Sequence, residues 1–98
     1  MRFMARLHYA RAMQYFHQSA AQDYPPATNT IGALYEEGKG VEKDGDEAMQ
    51  WYLKAASKGD TSAMRRLYEI YAYGRLGQPV DKARAEEWKA KAEAAIKK

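Results

Sequence analysis

The chain of 98 residues contains no cysteine. A disulfide scaffold, a thiolate zinc site and a cysteine nucleophile are thereby excluded, whereas the compartment stays open. Histidine is scarce as well. His8 and His17 stand nine residues apart, about half a turn out of phase on a helix, so they point to opposite faces and cannot share a metal. No stretch approaches the roughly 20 apolar residues that a membrane span requires. The basic start Met1–Leu7 is followed by no apolar run, because Arg6, His8 and Arg11 interrupt it. As written, the chain lacks a signal-peptide core and reads as cytoplasmic.

A dominant charge is also missing. Sixteen basic and thirteen acidic side chains leave a net charge of +3. The sign alternates along the chain: positive over residues 1–26, negative over 27–58, positive over 59–98. Lys82, Arg84, Lys89 and Lys91 are interleaved with Asp81, Glu86, Glu87 and Glu93. That pattern is a solvated helix face and not the clustered basic stripe of a nucleic-acid binder. The acidic pairs Glu36-Glu37 and Asp44-Asp46 lack the opposed positions and unequal environments of catalytic carboxylates. Gly38-Lys39-Gly40 lacks the full glycine-lysine-hydroxyl pattern of a phosphate loop. The residues point to no enzyme, no cofactor and no metal.

What the chain does contain is a repeat. Ala27-Thr28-Asn29-Thr30-Ile31-Gly32-Ala33-Leu34-Tyr35-Glu36-Glu37-Gly38 aligns with Ala63-Met64-Arg65-Arg66-Leu67-Tyr68-Glu69-Ile70-Tyr71-Ala72-Tyr73-Gly74 at a constant offset of 36 residues. Ala48-Met49-Gln50-Trp51-Tyr52-Leu53-Lys54-Ala55-Ala56 matches the segment from Ala12 at the same offset. It matches the segment from Ala85 at an offset of 37. A fixed period of this size marks stacked supersecondary units, which offer a partner a groove rather than a single deep pocket.

The spacing predicts five helices. The first runs from about Phe3 to Gln22 and stops before Pro25-Pro26, which cannot continue it. The second spans Ala27 to Glu37 and closes at Gly38, a residue suited to the left-handed conformation. The third spans Asp46 to Lys58, with Asp46 as N-cap and Gly59 just beyond its end. The fourth covers Thr61 to Tyr73 before Gly74, and the fifth Lys82 to Ile96. Ala27, Ile31, Leu34 and Tyr35 form one apolar stripe, and Ala48, Trp51, Tyr52 and Ala55 another. Trp51 and most of the eight tyrosines are expected in the core.

The pattern Ala27, Ile31-Gly32, Tyr35, Gly38, Gly40-Val41, Asp44, Ala48, Trp51-Tyr52, Lys54-Ala55-Ala56, Gly59 resembles the Sel1-like repeat, a relative of the tetratricopeptide repeat. The resemblance implies an all-α fold, an α-solenoid of antiparallel helix pairs with about two and a half repeats. One domain over 1–98 is expected: a half-repeat helix in 1–26, a full repeat in 27–62 and a second in 63–98 ending in a capping helix. Departures occur at Tyr68, where the family has its helix-contact glycine, and at Lys89, where the Trp-Tyr pair loses its tyrosine. The resemblance further implies adaptor or scaffold roles in signalling, protein quality control or bacterial host interaction. The β-lactam binding of cysteine-rich relatives does not carry over, since cysteine and a serine-lysine arrangement are both lacking.

On such a stack the leading helices line the concave face. Setting aside the core stripe leaves Asn29, Ala33, Glu36 and Glu37 in one unit and Arg65, Glu69, Ala72 and Tyr73 in the next. Asn29 and Arg65 occupy equivalent positions and are expected side by side. Arginine and tyrosine are favoured at binding hot spots. The expected partner is a protein or peptide segment, with no nucleic acid. Two alternatives stay open: a small inhibitor of a toxin or enzyme using the same groove, and self-assembly. The first helix is apolar on more than one side, so Phe3, Leu7 and Tyr9 are candidates for homo-oligomer contacts.

Overall fold

The computed structural model describes residues 2–21 and 24–96, with side chains described for 11–20 and 24–96. Five helices follow in order: α1 (Arg2–Ala21), α2 (Pro25–Glu37), α3 (Gly45–Ser57), α4 (Thr61–Tyr73) and α5 (Lys82–Ile96). Each packs against the next in the chain, and α2 also touches α4. The result is an elongated stack measuring 41 × 29 × 17 Å. This is the expected all-α solenoid.

The repeat is visible in the backbone hydrogen bonds. Gly38 N–H donates to Leu34 and Gly74 N–H to Ile70, each closing a leading helix. Both glycines are left-handed, at φ 71° and 68°, a conformation that costs a residue with a Cβ about 1 kcal/mol or more. The following loop then folds back. Asp44 N–H donates to Tyr35 O at 3.0 Å, and Asp81 N–H to Tyr71 O at 2.9 Å. Leu76 stands where the first loop has Gly40, and it too is left-handed, at φ 56°. Its side chain packs on the core, which holds the strained backbone in place.

Three expectations require correction at the ends of elements and in the core. First, α2 begins at Pro25, not Ala27. Proline at the first helical positions has no N–H to leave unpaired, and its φ is preset for a helix. Second, the cap of α3 is Asp44, whose Oδ1 accepts the Glu47 N–H at 3.1 Å; Asp46 lies inside the first turn. Third, the aromatic residues are less buried than their number implies. Tyr52 and Tyr71 are buried, Tyr35, Tyr68 and Trp51 are half-buried, and Tyr15, Tyr24 and Tyr73 are exposed. A phenol or indole at a helix flank packs its ring and keeps its polar atom solvated or paired.

Trp51 illustrates the point. Its ring meets the edge of His17 on α1, its Nε1 donates to Glu47 at 3.2 Å, and Lys54 lies over its face. Trp88 and Lys91 repeat the same cation–π pair on α5. These trailing helices thus carry half-exposed tryptophans beneath lysines, at the flank of the face on which Ala48, Ala55, Ala85 and Ala92 are buried. The core itself falls into two clusters. One joins Met13 and Ala20 of α1 to Ala27, Ile31 and Leu34 of α2; the other unites α3, α4 and α5 around Tyr52, Leu67 and Ile70. No helix among the described residues is long and apolar enough to cross a membrane.

Candidate functional site

The site is the side of α2 and α4 left open once their neighbours are in place. On α2, α1 covers Ala27, Ile31 and Leu34. The other flank carries Gly32, whose missing Cβ would lie 2.9 Å from the Tyr52 ring of α3. A side chain at Gly32 would displace that ring, so the glycine sets how closely α2 and α3 approach. Asn29, Thr30, Ala33, Glu36 and Glu37 remain at least partly accessible. Thr30 Oγ1 donates to Pro26 O and is spent within its own helix.

Glu36 is committed to structure. Tyr52 OH donates to its Oε1 at 2.7 Å, and Arg66 Nε of α4 lies 3.8 Å from the same oxygen. Burial, aided by the carboxylate, pushes the Tyr52 hydroxyl well above the ordinary tyrosine range. Arg66 continues to Glu69 at 3.8 Å and stands over the Tyr52 ring. One chain of contacts therefore ties α2, α3 and α4 together. Glu37, at the exposed end of α2, pairs with Lys39 at 2.8 Å; that hydrogen bond, with the lysine charge, holds its carboxyl below the usual range.

The expected residues separate accordingly. Asn29 is half-buried, and its Oδ1 accepts no hydrogen bond from the described residues. Ala33, Glu37 and Glu69 stay accessible, and Tyr73 is 63% exposed, with Arg75 over its ring at 5.6 Å. Ala72 packs on the core. Arg65 lines a groove with α5, beside Tyr68, Lys89, Ala92, Glu93 and Ile96, and Arg66 is the residue that reaches α2. Arg66 falls outside the set that the repeat pattern singles out, although its position follows from one step of about 100° around the helix. Phe3, Leu7 and Tyr9 lie outside the residues whose side chains are described. Among the described residues no group of acidic and histidine side chains could hold a metal ion.

Known proteins share this repeat. The Sel1 repeat model matches residues 9–24, 25–60 and 61–95. The chain is 40% identical over 68 residues to the alginate biosynthesis protein AlgK of Pseudomonas syringae pv. tomato, covering 69% of this chain and 14% of that protein. It is 38% identical over 56 residues to the chitin synthase regulator SKT5 of Saccharomyces cerevisiae, covering 57% of this chain and 8% of that one. The chain thus spans a small part of either relative. Among solved structures, a Sel1 repeat protein from Oxalobacter formigenes superposes with a TM-score of 0.82 at 37% identity, over 88% of this chain and 35% of that one. Sel1 repeats generally mediate protein–protein interactions. With matches across almost the whole chain and the same stacked helix pairs, this protein belongs to the Sel1 repeat family.

Proposed function

We propose that the chain is a non-catalytic interaction module that binds a protein or peptide segment across the accessible faces of α2 and α4. The observation that carries this reading is the division of labour on those helices. Glu36, Arg66 and Tyr52 lock the two repeats together. Ala33, Glu37, Glu69 and Tyr73 are left accessible. A rigid frame that presents small, charged and aromatic groups loses little entropy on binding. Ala33 leaves room for a partner backbone, and Tyr73 supplies a large ring with few rotatable bonds. The regulatory name of SKT5 is in keeping with an adaptor role. Lys39 beside Glu37 and Arg75 over Tyr73 add cations to the acids of this face, and mixed charge there calls for a partner segment of mixed charge.

A photo-crosslinking amino acid placed at Ala33, at Tyr73 and, as control, at exposed Leu53 on α3 tests the reading in source cells. One partner captured from both Ala33 and Tyr73, and not from Leu53, is the expected result. Crosslinks only to copies of the chain, or equally from all three positions, would refute it.

A further inference from the structure

The two helix pairs differ at one contact, and the difference opens a site. In the α2–α3 pair, Gly32 accepts the ring of Tyr52, which is 1% exposed. In the α4–α5 pair the ring moves to the leading helix and a lysine takes its place on the trailing one. Tyr68 stands at the position of Gly32, and Lys89 at that of Tyr52. Lysine fills less of the interface with apolar atoms and keeps its ammonium in water. A groove of about 250 Å³ remains, lined by Arg65, Tyr68, Lys89, Ala92, Glu93 and Ile96.

A further repeat is not suited to cover this surface as α4 covers α3. Met49, Tyr52 and Ala56 are buried in the core that α3 shares with α4. Their equivalents on α5 are Glu86, Lys89 and Glu93, all exposed. Burying three charges without partners would cost several kcal/mol. The groove is too small for most small-molecule sites but accommodates one large side chain as an anchor. Tyr68, Ala92 and Ile96 give it an apolar lining. Arg65 and Lys89 border it, and neither has an ion-pair partner among the described residues. Glu93 is a single acid against these two cations. Over residues 59–96 basic side chains outnumber acidic ones only by seven to six, so the preference for an anion comes from Arg65 and Lys89 at the groove itself.

We propose that the α4–α5 groove is a second binding site, distinct from the α2–α4 face, for an acidic peptide segment. An aromatic or leucine side chain of that segment enters between Tyr68 and Ile96. Carboxylates beside it pair with Arg65 and Lys89. Glu93 accepts a backbone N–H from the same segment and disfavours a strand of acids without an apolar anchor.

The probe is an acetylated, amidated peptide with one phenylalanine flanked by aspartates, titrated into the ¹⁵N-labelled chain at low salt. Amide shifts concentrated at Tyr68, Ala92, Glu93 and Ile96 are expected. The same peptide with lysines for aspartates should bind at least tenfold more weakly. An Arg65→Gln, Lys89→Gln variant, which alters only exposed side chains, should also lose at least tenfold. A Tyr68→Gly, Lys89→Tyr variant restores the closed Gly32–Tyr52 arrangement and should abolish the shifts while keeping its helical circular dichroism. Equal binding of the acidic and basic peptides, shifts elsewhere, no saturable binding, or undiminished binding to the glutamine variant would each overturn the proposal. A Glu37→Lys, Tyr73→Ala variant should bind the probe normally. That control separates failure of this site from failure of the α2–α4 face.

Discussion

Tyr52 is the residue at which the two repeats meet. Its ring closes on Gly32, its hydroxyl donates to Glu36 at 2.7 Å, and Arg66 of the next repeat stands over it. Tyr52→Phe keeps the ring and removes the hydroxyl. Glu36 then loses its charge-assisted donor, and the variant should be less stable by about 1–3 kcal/mol in urea titration at neutral pH. The hydroxyl also gives alkaline pH a defined effect. Its folded pKa is raised by burial above the unfolded value of about 10. The unfolded chain therefore releases the proton first, and stability is full below that value and falls as pH rises through and beyond it. Melting temperatures of wild type should drop above about pH 10, and Tyr52→Phe should show a shallower drop. Parallel curves for the two proteins would mean that another group governs alkaline unfolding.

At the scale of the element, the ends of helices were legible where a glycine or a repeat partner fixed them, and blurred elsewhere. α4 begins and ends where the spacing places it, and α5 begins there, because Asp60 and Gly74 bound the one and the loop before Lys82 the other. The start of α3 was not. Asp44 and Asp46 are both acceptable caps in isolation, and the choice depends on the Asp44 N–H reaching back to Tyr35 O, a contact between loop and helix that local preference does not encode. The site shows the same boundary. That α2 and α4 carry accessible polar residues was readable from the repeat, whereas Arg66 rather than Arg65 as the bridge to α2 depends on which flank of α4 faces its neighbour. The Tyr68 and Lys89 departures were likewise visible as letters, but their joint effect on volume needs both helices in place. The cap gives a direct check. Asp44→Ala should cost about 1 kcal/mol, while Asp46→Ala, in the first turn without a cap bond, should cost about 0.5 kcal/mol or less. A larger loss for Asp46→Ala than for Asp44→Ala in thermal melts would move the cap back to Asp46.

At the scale of the whole molecule, each helix packs mainly on its chain neighbours, which makes the stack quasi-one-dimensional. The radius of gyration of 14.0 Å exceeds the roughly 13 Å of a compact domain of about 100 residues. Stability should therefore be distributed unevenly, with the ends opening before the middle. α1 is held through one cluster with α2, centred on Met13, Ala20, Ile31 and Leu34. α4 is held on both sides, with Leu67 and Ile70 wholly buried in the cluster that also contains α3 and α5. Native-state hydrogen exchange should then distinguish two truncations of similar chemistry. Met13→Ala should lower amide protection in α1 and the adjoining face of α2 while leaving α4 and α5 nearly unchanged. Leu67→Ala should cost about 2–5 kcal/mol, as cavity-forming substitutions in cores do, and should lower protection in α3, α4 and α5 together. If Met13→Ala instead reduces protection uniformly along the chain, the two clusters unfold as one unit. The Glu36–Tyr52–Arg66 contacts would then couple the repeats strongly enough to override their serial arrangement, and a ligand on α2 and α4 would stabilise the ends of the stack as much as its centre.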